Sequence, residues 1–215
     1  MKKFSILTVS KRDGWQRRAK AQVKKQTIQP EDWIIIQEGV NAPPKKRASN
    51  LNASLNAGLK QIKTPYVIFY QDFIDLPPDC FEKLLALTNQ TTFVTTLTKN
   101  DGDKLEDPRY LGVDGPRPCL PAEWEANVSI APMKALKELG GFNEELDDGW
   151  SWDNVNVAER ADILGYEFIL DESNRPQLLG HEETSKLSME LNGDRHAKIM
   201  DAIYKGKRPV KCNYL

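Results

Sequence analysis

Short, dense apolar runs alternate along this chain with longer stretches in which apolar residues recur every three or four positions. Phe4 to Val9, Trp33-Ile34-Ile35-Ile36-Gln37 and Tyr66-Val67-Ile68-Phe69-Tyr70 are runs of strand length. Their β-branched and aromatic content predicts strands buried on both faces. Between them, Trp15 to Lys25 predicts a basic helix. Ala48 to Ile62 predicts a second one, with Leu51, Leu55 and Leu59 on a single stripe. Pro77-Pro78-Asp79 punctuates the chain and predicts a helix from about Cys80 to Thr88, with Asp79 as its cap. Thr91 to Thr96 predicts a fourth strand. Beyond it, Val128-Ser129-Ile130 and Tyr166 to Leu170 predict strands, and Met133 to Leu139 and Asn154 to Leu164 predict helices. The tail from Thr184 to Tyr204 predicts a helix interrupted at Asn192-Gly193.

Strands that alternate with helices predict an α/β fold with a mostly parallel central sheet flanked by helices. No Pro-, Gly- or Ser-rich linker divides the chain, so one domain is expected. Ligands of such sheets lie beyond the carboxyl ends of the strands. The residues there are Ser10-Lys11-Arg12, Glu38-Gly39 and Gln71-Asp72, which would bring polar groups to one edge. Lys99 to Pro121 is different in kind, rich in Gly and Pro and without periodicity. A loop of that length inside a compact domain is usually functional.

Net charge is −1, which by itself points to no polyanionic partner, but the charge is unevenly placed. Residues 1–63 carry 14 Lys and Arg against 4 Asp and Glu, and residues 64–215 carry 16 against 27. A basic first half suits a nucleotide diphosphate or a nucleic acid, and an acidic second half suits a neutral acceptor or a cation. Cys80, Cys119 and Cys212 are too few and too scattered for a disulfide framework or a zinc knuckle, and predict a reducing, cytoplasmic setting. No apolar segment approaches membrane-spanning length, so no stable membrane insertion is expected.

The densest chemical signal is Leu139-Gly140-Gly141-Phe142-Asn143-Glu144-Glu145, followed by Asp148-Gly149-Trp150-Ser151-Trp152-Asp153-Asn154 and Ala158-Glu159-Arg160. This resembles the acceptor-side signature of family 2-type glycosyltransferases, GGF-(D/N)-E, then W-x-x-E-D, then R. Ile6 to Arg12 is similar to that family's first strand and nucleotide-facing turn, and Gln26-Thr27 with Trp33 to Gly39 to its second. Asn56-Ala57-Gly58-Leu59 and Thr64 to Phe69 resemble the approach to the family's D-x-D motif. The resemblance implies a single GT-A, Rossmann-like domain, with residues 1–98 the nucleotide-sugar half and 99–215 the acceptor half and helical tail. It implies a hexosyl- or pentosyltransferase moving a sugar from a nucleotide-diphosphate sugar, a uridine one by family frequency, to an acceptor hydroxyl with inversion. Ser10, Arg12, Glu38, Asn56, Gln71 and Asp72 would hold the donor, and Trp150, Trp152 and Asn154 the acceptor. Asp72 with His181 would bind Mn²⁺ or Mg²⁺.

Two departures bear on that reading. Gln71-Asp72-Phe73 stands where the family has D-x-D, so an aromatic replaces the last carboxylate. Asp153-Asn154 stands where the family has Glu-Asp, which leaves Asp153 as the carboxylate to take the acceptor proton, or else as a helix cap. Asp147 and Asp148 read as loop acids. Trp124, Trp150 and Trp152 offer indole faces for a sugar ring, Trp150 first among them. Lys45-Lys46-Arg47 offers charge for phosphates. Two other classes are kept in view. A degenerate binding module would retain the fold without turnover, and nucleotidyl transfer would need a Gly-rich loop after the first strand, where only Gly14 is present. The acceptor is left open among a glycan, a small molecule and a hydroxymethylated DNA base.

Overall fold

The apolar runs of the sequence pair into one seven-stranded sheet because each carries side chains for both of its faces. A computed structural model describes residues 2–46, 49–98, 107–147, 152–179 and 186–215. In chain order the elements are β1 (Phe4–Ser10), α1 (Gln16–Lys24), β2 (Asp32–Gln37), α2 (Leu51–Leu59), β3 (Tyr66–Tyr70), β4 (Ile74–Asp75), α3 (Cys80–Leu87) and β5 (Thr92–Thr96). They continue with β6 (Pro116–Pro118), β7 (Val128–Pro132), α4 (Met133–Leu139), α5 (Asp153–Ile163), β8 (Glu167–Asp171), β9 (Gln177–Leu178) and α6 (Lys186–Tyr204). The sheet order is β2-β1-β3-β7-β5-β8-β6, with β4 and β9 forming a separate antiparallel pair. β1, β2, β3, β5 and β8 run one way, and β7 and β6 are reversed, so the sheet is mostly parallel as expected.

Period-2 alternation sends Leu7, Val67 and Phe69 to one face of the sheet and Phe4, Ile6, Ile68 and Tyr70 to the other. The first face is covered by Leu55 and Leu59 of α2, Leu136 and Leu139 of α4, and Val157 and Ala161 of α5. On the second, Ala19 and Val23 of α1 and Phe81 and Leu84 of α3 close the core. Five-residue β3 is buried throughout, the reason its sequence reads as a continuous apolar run.

Two local expectations are corrected. Asp79 makes no side-chain cap bond and pairs instead with Lys83 at 3.0 Å, one turn on. α6 runs unbroken through Asn192-Gly193. Gly193 packs closely on Trp152, where a Cβ would lie 3.3 Å from Nε1, and the Asn192 amide donates to the Leu146 carbonyl at 3.0 Å. The described part of the turn-rich loop is held by a buried charge. Glu172 is buried beneath it and accepts from the amides of Leu111 (3.1 Å) and Val113 (2.8 Å) and from Nε of Arg117 (2.7 Å). No helix among the described residues is long and apolar enough to cross a membrane.

Candidate active site

The carboxyl ends of β1, β2 and β3 meet at one corner, as the topology of a parallel sheet requires. Asp72, two residues past β3 and only 5% exposed, is the centre of that corner. The Ser10 hydroxyl donates to its Oδ2, and Nη1 of Arg12 lies 3.3 Å from its Oδ1. Nη2 of Arg18, from the first turn of α1, donates to the Asp72 carbonyl at 2.6 Å. Arg12 is further placed by its own amide, which donates to the Ser10 hydroxyl at 3.0 Å, and by the Phe73 ring, whose centroid lies 4.8 Å from the guanidinium carbon. Glu38 is at the same edge: its amide donates to the Ser10 carbonyl at 2.9 Å, and its carboxylate pairs with Lys45.

Next to this corner, on the α2 face of the sheet, lies a small cleft open to solvent. Leu7, Val9, Leu51 and Leu55 make it apolar, and Gln71 and Asp153 are its polar lining. Asp153 is the first residue of α5, one past the N-cap position that Trp152 holds, and its carboxylate accepts from the first backbone N–H groups of the helix. The preceding Trp152 takes a left-handed conformation, φ 71°, which turns the chain into the helix. Burial pushes the Asp153 carboxyl up to about 6, with the Asp147 and Glu125 charges adding to the rise and backbone N–H bonds opposing it. Trp152 stacks on His196 of α6, ring centroids 5.1 Å apart, and His196 pairs with Glu159 at 3.1 Å. The Asn154 amide donates to the Trp124 carbonyl at 3.0 Å. Trp124 itself is fully buried between Phe69 and Phe93, which removes it as a platform for a sugar.

The residues of the double-glycine signature mostly build this site rather than line it. Asn56 is 1% exposed; its amide donates to the Phe142 carbonyl (2.9 Å) and Glu144 (3.0 Å), and its carbonyl accepts from the Phe142 amide (2.9 Å). Asp147, read from sequence as a loop acid, instead caps α2 from across the molecule, accepting from the Asn52 and Ala53 amides at 2.7 and 3.1 Å. Arg160 is buried and donates to the carbonyls of Leu139 (2.9 Å) and Gly141 (2.7 Å). Gly140 has φ +70° and packs on the C-terminal tail, where a Cβ would meet the Cys212 carbonyl oxygen at 1.7 Å. Trp150, His181, Asp148 and Arg47 lie outside the described residues.

Two groups at the site escape a reading of the sequence. Arg18 sits in the first turn of α1 beside Arg17, and the sequence carries no signal that separates the two. Glu125 precedes β7 between the buried Trp124 and Ala126, and burial pushes its carboxyl up while the Arg109 charge pulls it down.

No protein-family model matches the chain, and no curated protein matches it. Solved structures do. GalNAc-T7 with UDP, GalNAc and Mn²⁺ is similar at TM-score 0.68 and 12% identity over 93% of this chain. S. aureus TarS residues 1–349 is similar at 0.61 and 12% over 82%, and S. aureus TarS at 0.61 and 13% over 95%. The fold is GT-A. The chain spans 48%, 60% and 43% of those three structures, so it corresponds to about half of each.

A GT-A site that holds a divalent ion needs several hard oxygen ligands converging on one point. Among the described residues no group of three or more His, Cys, Asp or Glu does so. Both oxygens of Asp72 are already engaged by Ser10 and Arg12, Phe73 follows, and Asp75 lies 3.5 Å from Nε of Arg18. A cation at Asp72 would displace these partners and stand against two guanidinium groups. The described donor set does not fit a divalent ion.

Proposed function

We propose that this protein is a glycosyltransferase that moves a sugar from a nucleotide-diphosphate sugar to an acceptor hydroxyl with inversion. One observation carries the reading: Gln71, adjoining the Asp72–Arg12 pair, and Asp153 open into the same cleft. A donor whose diphosphate rests at the strand ends would direct its sugar toward Asp153. Residues 1–98 supply the donor edge through Ser10, Arg12, Glu38, Gln71 and Asp72, and residues 99–215 supply the acceptor side. Trp152 and Asn154 flank the acceptor, and Asn56 serves by holding the Phe142–Glu144 turn. A uridine donor is supported by the UDP in the GalNAc-T7 structure. The acceptor classes are those left open above.

In the reaction Asp153 accepts the hydroxyl proton as the acceptor oxygen attacks the anomeric carbon. The bond from that carbon to the diphosphate oxygen breaks, and its electron pair leaves with the diphosphate. A carboxylate with a pKa of about 6 is ionised at neutral pH yet basic enough to take the proton. The test is nucleoside diphosphate release from a panel of nucleotide sugars offered with glycan, small-molecule and hydroxymethylated-DNA acceptors. Asp153→Asn is expected to lower kcat by roughly 10²–10⁴ while donor affinity stays within about threefold. Turnover at the wild-type rate in that variant sinks the assignment. Donor binding without turnover in the wild type identifies a binding module instead, the reading that Asn154 in place of a carboxylate favours.

A further inference from the structure

The charge that breaks out at this site is negative, because the leaving diphosphate takes an electron pair, and something positive must meet it. At the strand-end corner the anion is hidden and the cation shown: the Asp72 side chain is 5% exposed and that of Arg12 31%. Arg12 is held from three sides, by the Asp72 carboxylate, by the Phe73 ring beneath its plane, and through its backbone by Ser10. Phe73 stands where the family resemblance calls for a metal-binding carboxylate, and it supports a guanidinium there. Asp72 orients that guanidinium while Arg18 fixes the Asp72 backbone. An arginine so placed has N–H donors beyond the one spent on Asp72 and a planar fork that matches phosphate oxygens.

We propose that Arg12, positioned by Asp72 and Phe73, takes the place of a divalent cation at the diphosphate, and that donor binding and sugar transfer by this protein need no metal ion. The proposal rests on the nucleotide-sugar reading above. As the anomeric carbon–oxygen bond breaks, the electron pair stays on the diphosphate oxygen, which accepts hydrogen bonds from the guanidinium. No proton changes hands at that end, so the charge balance closes without a further reactant.

The test is calorimetric titration of UDP, and of the guanosine, cytidine and thymidine diphosphates, into the protein in EDTA and in Mn²⁺. The diphosphate that binds best is expected to show the same Kd within about twofold in both. Arg12→Gln is expected to weaken it about tenfold or more while leaving the parent nucleoside within about twofold. Arg12→Lys should recover only part of the loss, because an ammonium lacks the fork. Tightening of the wild type by about tenfold in Mn²⁺ overturns the proposal and leaves the glycosyltransferase reading standing. An equal loss of nucleoside and diphosphate in Arg12→Gln also overturns it, since Arg12 would then be a prop for the strand end. Absence of binding by every diphosphate in both buffers overturns the donor reading itself.

Discussion

At the scale of single residues the site is a study in what burial does to charge. Asp153 has its carboxyl raised to about 6, above the ordinary 3.8, so the native state holds a proton that the unfolded chain has lost. Stability therefore falls as pH rises from about 4 to about 6, and the full cost of the half-buried carboxylate stands above that window. Asp153→Asn is expected to be the more stable protein above pH 6, by about 1–3 kcal/mol, and equal to the wild type near pH 4. Thermal melting at pH 4 and pH 8 measures both ends. If Asp153 is the base proposed above, kcat/KM should climb tenfold per pH unit below about pH 6 and level off above it. Asp153 was legible in the sequence as the one carboxylate left in the altered W-x-x-E-D stretch. Arg18 was not, because nothing in a basic helix sequence marks which guanidinium turns to the Asp72 carbonyl.

At the scale of elements, most of the double-glycine signature is joinery. Asp147 caps α2, Asn56 of α2 grips the Phe142–Glu144 turn, and Arg160 of α5 ties the end of α4 to the tail. Gly140 shows how tight the joint is. Gly140→Ala would set a methyl against the Cys212 carbonyl at a positive φ, and we expect a loss of about 2–4 kcal/mol with the tail undocked. Gly206→Ala is the control, with φ +65° but open space, and should lose only about 1 kcal/mol from the backbone. Denaturant unfolding of the pair separates contact from conformation, and equal losses would show that the tail yields. The sequence set Gly140 just past the helix predicted over Met133 to Leu139, but it held no sign that the tail, about 70 residues later, was the neighbour that excludes a side chain.

For the whole molecule, the sheet order decides where the chemistry sits. β7, from the second half of the chain, lies between β3 and β5 of the first, so the two halves share one sheet and one core. The loop over its far edge is held by charge. Burial pushes Glu172 up, but Arg117 and the amides of Val113 and Leu111 outweigh it and hold its carboxyl below the ordinary range. The sign is that of a depressed acid: the contribution is complete above the unfolded carboxylate pKa of about 4.3 and is lost as pH falls through the folded value. Glu172→Gln is expected to flatten the acid limb of a stability profile below about pH 4.5 and to lower stability at neutral pH. An unchanged acid limb would place the acid sensitivity elsewhere.

What was determined by the sequence alone is what local pattern can carry: the alternation of strands and helices, the mostly parallel class and the polar strand ends. These depend on spacing within a dozen residues, where apolar periodicity and turn chemistry act directly. Tertiary structure decided the rest. It buried Trp124 in the core, carried α6 unbroken past Gly193 against Trp152, turned Asp147 from a loop acid into a cap for α2, and laid Phe73 under Arg12. Each of these joins residues distant in sequence, or adjoining residues whose orientation only the packed sheet sets. The free energy that selects them is the burial and pairing of groups that no local pattern brings together.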